Sequence, residues 1–70
     1  MTTLGRFISQ KRREAKLTQL ELAERAGVGL RFIRELEHDK KTLRLDKVEE
    51  VLKLFGHTLA PVKKEPSWQP

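Results

Sequence analysis

At 70 residues the chain has room for one domain with a small core. It has no cysteine, which excludes disulfides and thiolate metal sites, and no apolar run approaches the roughly 20 residues that span a bilayer. The net charge of +5 is uneven: residues 1–16 carry five basic side chains and one acid, and residues 30–44 carry five and three. A basic surface of this kind suits a polyanion, although a solvated surface on a basic protein would look the same. The start of the chain lacks the apolar stretch of a signal peptide, so a cytoplasmic location is expected.

The first expected helix follows a cap at Thr2 or Thr3, with Leu4, Phe7, Ile8 and Ala15 on one face. Thr18-Gln19-Leu20-Glu21 is a capping box that opens a second helix. Leu20, Ala23 and Ala26 are expected to face inward, and Gly27 to stop the helix in the left-handed conformation. A third helix begins at once, with Gly29 at its N-cap and Leu30 to Glu37 following. Ile33 and Leu36 have core spacing there, whereas Arg31, Arg34 and Glu35 point elsewhere. His38 to Arg44 is polar and reads as a loop. A fourth helix runs from about Leu45 to Phe55, with a stripe of Leu45, Val48, Val51, Leu52 and Phe55, and ends at Gly56.

Residues 57–62 read as a short strand, restricted by Pro61 to an edge and without a partner strand in the chain. Two copies could supply each other's partner, with Leu59 and Val62 buried at a homodimer interface. Residues 63–70 contain two prolines and read as a flexible tail. The expected organisation is thus 1–56 as the helical domain, 57–62 as a dimerisation strand and 63–70 as the tail.

Two short helices joined across Ala26-Gly27-Val28-Gly29 fit a helix-turn-helix, in which Gly27 relieves the backbone and Val28 plugs the corner. An ordinary helical hairpin has the same local pattern. The longer run Lys16-Leu17-Thr18-Gln19-Leu20-Glu21-Leu22-Ala23-Glu24-Arg25-Ala26-Gly27-Val28, with Phe32-Ile33-Arg34-Glu35-Leu36-Glu37, resembles the Xre/Cro/C1-type helix-turn-helix family over about residues 4–56. Arg44-Leu45-Asp46-Lys47-Val48 and the strand after it are similar to the HipB-like branch, antitoxins paired with HipA-like kinases.

The resemblance implies an all-α, four-helix, lambda-repressor-like bundle with a short C-terminal strand pairing across a homodimer. It implies a repressor, an antitoxin in the HipB-like case, that binds double-stranded operator DNA of its own operon. Gln19 matches a phosphate-binding position at the start of the second helix. Leu30, Arg31 and Glu35 match positions that face base edges. Arg31 suits guanine; Glu35 suits cytosine or orients Arg31; Leu30 departs from the usual polar residue and suits a thymine methyl. Gly29 stands where Ser or Thr is usual, which removes a side-chain phosphate contact. Arg34, Lys40 and Lys41 fit phosphate contacts or solvated charges equally well. Arg12 and Glu37 match a buried structural salt bridge. In the HipB-like branch a tail ending near a Trp docks into the kinase toxin, a role the resemblance implies for Trp68; packing on a neighbouring helix and a neutral terminal position are the alternatives.

Other classes fit less well. His38 and His57 have no local nucleophile beside them, and His38-Asp39 is too slight for a metal site, so neither an enzyme nor a cofactor is expected. A protein-interaction module or an RNA-associated basic protein of the same fold is the alternative, but stacking aromatics are few, with three Phe, one Trp and no Tyr.

Overall fold

A computed structural model describes residues 2–68. Four α-helices follow in order: α1 (Leu4–Glu14), α2 (Gln19–Ala26), α3 (Leu30–Glu37) and α4 (Leu45–Leu54). Among the described residues there is no strand.

The ends of α2 and the start of α1 have local causes. Thr3 caps α1 by accepting from the Arg6 amide. Thr18 accepts from the Glu21 amide while Glu21 accepts from the Thr18 amide at 2.8 Å, completing the capping box of α2. Gly27 closes α2 at φ +71°, a left-handed conformation that glycine adopts without steric cost. Gly29 then opens α3 with no side-chain cap.

The core is Ile8 from α1, Leu22 and Ala23 from α2, Ile33 and Leu36 from α3, and Val48, Val51 and Leu52 from α4. Val28 packs against this cluster at the corner between α2 and α3. Three expectations about facing are corrected. Leu20 is 52% exposed, and Leu22 takes the buried place on α2. Leu45 is 67% exposed, because it opens α4 before the stripe meets the core. Ala15 is the C-cap of α1 and lies exposed.

A polar clasp joins the N-terminus of α1 to the end of α3. Asp39, at φ +56°, accepts from the Gly5 amide and from the Thr3 hydroxyl, both at 2.8 Å. The Gly5 contact occupies one of the backbone amides that the first turn of a helix leaves unpaired.

Residues 57–62, expected as a strand, take no regular structure within the single chain. A lone strand leaves its amides without partners. Here the Leu59 amide and the Thr58 hydroxyl both donate to the Glu49 carboxylate on α4 instead. Leu59, Val62 and Trp68 are exposed, Trp68 at 78%. No helix among the described residues is long and apolar enough to cross a membrane.

Candidate nucleic-acid interface

The tight corner at Gly27 and Val28 sets α3 against both α1 and α2, with Ile33 and Leu36 in the core. The opposite side of α3 is free of core duty. Arg31 stands there with its side chain 90% exposed. Arg34 is also exposed and forms no ion pair among the described residues; its carbonyl accepts from the His38 ring at 2.8 Å. Leu30 is half-buried at the first turn, and Gly29 is exposed.

Glu35 is not a free acceptor. Lys40 Nζ lies 2.6 Å from its carboxylate, and Arg31 Nε lies 3.9 Å away. The Lys40 hydrogen bond, aided by the Lys40 and Arg31 charges, holds the Glu35 carboxyl below its ordinary range against the opposing effect of burial. Of the two expected roles for Glu35, this geometry favours orienting its basic neighbours. Lys41 is exposed in the loop that follows.

Gln19, expected as a phosphate contact at the start of the second helix, is half-buried, and its Nε2 donates to Glu37 Oε1 at 3.2 Å. An ionised carboxylate only accepts, so this contact turns the NH2 end of the amide toward Glu37. Glu37 is the hub of the region. Arg12 grips it through Nε at 2.7 Å and Nη2 at 3.0 Å, and also reaches the Leu17 carbonyl at 2.9 Å. The Glu37 side chain is only 5% exposed. Burial by itself raises its pKa, but hydrogen bonds from Arg12 and Gln19 and the Arg12 charge outweigh burial and hold it below the ordinary range. The buried salt bridge implied by the resemblance is therefore present, and it also fixes Gln19.

Beside α3 lies an open groove lined by Arg31, Glu35, Lys40, Arg44 and Lys47, with Phe32 among its apolar lining. Arg44 and Lys47 had no place in the expected site. Arg44 belongs to the polar loop and Lys47 to α4, and in the sequence both counted only toward the HipB-like resemblance. Only packing of the α4 start against α3 brings them to the groove. Arg44 pairs with Asp46 at 2.6 Å, and Lys47 Nζ lies 5.8 Å from the Phe32 ring centroid. Among the described residues no cluster of His, Asp or Glu is placed to hold a metal.

A helical bundle with a tight α2–α3 corner and an α3 whose outer side exposes Arg31 and Arg34 defines a helix-turn-helix domain. A family model described as "Helix-turn-helix" matches residues 8–61, and the chain belongs to that family. It is 47% identical over 53 residues to an uncharacterized HTH-type transcriptional regulator, y4mF, of Sinorhizobium fredii, covering 76% of this chain and 70% of that protein. It is 32% identical over 63 residues to the immunity repressor protein of Bacillus phage phi105, covering 90% of this chain and 44% of that protein.

Proposed function

We propose that this chain binds duplex DNA as a sequence-specific transcriptional repressor. The observation that carries the reading is the exposed Arg31 on α3 beside a groove that gathers Lys40, Arg44 and Lys47. α3 enters the major groove, Arg31 reads a guanine edge, and Leu30 meets a thymine methyl. The backbone amide of Gln19 and the side chains of Arg34, Lys40 and Lys41 contact phosphate and fix the register. Glu35 holds Arg31 and Lys40 in place rather than reading a base. The names of the two relatives, a transcriptional regulator and a repressor, support the regulatory part of this reading.

The active form is a homodimer that presents two α3 helices roughly 34 Å apart to a two-fold operator. Leu59 and Val62 supply the apolar part of the interface, supported by their exposure in the single chain. The narrower reading, an antitoxin whose Trp68 docks into a HipA-like kinase, rests on the similarity of the C-terminal segment and on the exposure of that indole.

Selection from a random duplex pool, followed by mobility shifts with unrelated DNA and RNA as competitors, tests the proposal. Enrichment of one sequence that unrelated DNA and RNA fail to displace supports it. Equal displacement by RNA favours an RNA-associated role, and no shift at low salt favours a protein-interaction module.

A further inference from the structure

The basic stretch at residues 30–44 supplies the proposed DNA contacts of α3 and its groove, whereas the larger excess, in residues 1–16, has no role beyond the Arg12 salt bridge. Arg6, Ser9, Gln10 and Arg13 share one face of α1 by their helical spacing. They line a groove along α1 that has Glu37 of α3 in its wall. Arg6 and Arg13 are exposed and form no ion pair among the described residues. The acids of the groove are already engaged. Glu14 takes Gln10 Nε2 at 3.1 Å and Lys11 at 3.7 Å, and Glu37 is closed by Arg12. The charge left to face a ligand is therefore positive.

The place of the groove indicates the ligand. Glu37 in its wall is the same carboxylate that holds the Gln19 amide at 3.2 Å. The groove thus adjoins the start of α2, where the proposed function puts a phosphate. Arg6 and Arg13 are separated by about 10 Å along the helix axis, the rise of about three nucleotides of one DNA strand.

We propose that this face of α1 is a second phosphate track, in which Arg6 and Arg13 contact the DNA backbone flanking the contact at Gln19. The track is distinct from the α3–α4 groove and adds affinity without sequence preference, because phosphate contacts carry no base information. The inference rests on the DNA-binding reading.

The test is the salt dependence of binding by the full chain to a fluorescent random-sequence duplex of about three helical turns. Each phosphate contact contributes about 0.9 to the slope of log K against log salt, so the R6A/R13A double variant should show a slope shallower by about 1.8 per bound chain, or about 3.6 for a bound dimer. R6K/R13K should keep the wild-type slope, since an ammonium also neutralises a phosphate. Lys53→Ala should leave the slope unchanged, because Lys53 lines neither groove. An R6A/R13A slope equal to that of a binding wild type would overturn the α1 track and leave the proposed function standing. A wild type that fails to bind the duplex at low salt would overturn both.

Discussion

At Gly5 the first turn of α1 lies against the end of α3 with no space for a side chain. A Cβ there would sit 2.6 Å from the Leu36 carbonyl, 2.7 Å from Asp39 Oδ1 and 2.8 Å from the Glu37 carbonyl. Two of these neighbours are backbone and cannot swing away. Gly5→Ala should therefore cost about 1–3 kcal/mol, as overpacking does. Thermal melting should show it as a fall of about 4–8 °C in Tm for each kcal/mol. The Glu37 hub has a pH signature. Its folded pKa is depressed, so its contribution to stability is complete above the unfolded carboxylate pKa, about 4.3, and is lost as pH falls through the folded value. Melts of Glu37→Gln should accordingly fall less steeply with acid than those of the wild type, from a lower Tm at neutral pH. An equally steep acid limb would show that Glu37 does not contribute to it. Arg12 and Glu37 were legible through the family resemblance, whereas the Asp39 clasp was not. Its partners lie 34 and 36 positions away, and a polar loop residue has no periodicity to betray a distant contact.

Helix ends were the most legible elements, because caps are local chemistry. Thr18 with Glu21 and the glycine at 27 mark α2 from sequence, and both act as expected. Thr18→Ala should cost about 1 kcal/mol, within the usual range for a lost N-cap. Gly29 caps α3 without a side chain, has an extended backbone and has open space around a Cβ. Gly29→Ser should add the missing acceptor and stabilise the domain by a few tenths of a kcal/mol. Helix phase was less legible where the helix is short. On α2, Leu20 with Ala23 and Leu22 with Ala26 both have helical spacing over barely two turns. Packing against α3 and α4 decides for Leu22. Segment 57–62, expected to pair only across two copies, has no regular structure in the single chain. The Glu49 carboxylate satisfies the Leu59 amide that a ladder would have used.

On the scale of the whole molecule, the domain gathers basic side chains along α3, the α3–α4 loop and α1 while burying a core drawn from all four helices. The helix-turn-helix was readable in the sequence as a motif. The groove with Arg44 and Lys47 was not, since it exists only once α4 meets α3. If the C-terminal segment joins two copies, deletion of residues 57–70 should give a monomer in sedimentation and weaken binding to a two-fold site through lost avidity. A dimer that survives the deletion would move the interface elsewhere. The proposal that α3 reads sequence is tested most directly by titrating wild type and Arg31→Ala against the selected duplex and a scrambled one of equal length. Arg31 has no core role, so the variant should fold as the wild type does. The account predicts a loss of about 1–3 kcal/mol on the selected duplex and a much smaller, equal-for-any-sequence change on the scrambled one. Equal losses on both duplexes, or no loss on either, would contradict it.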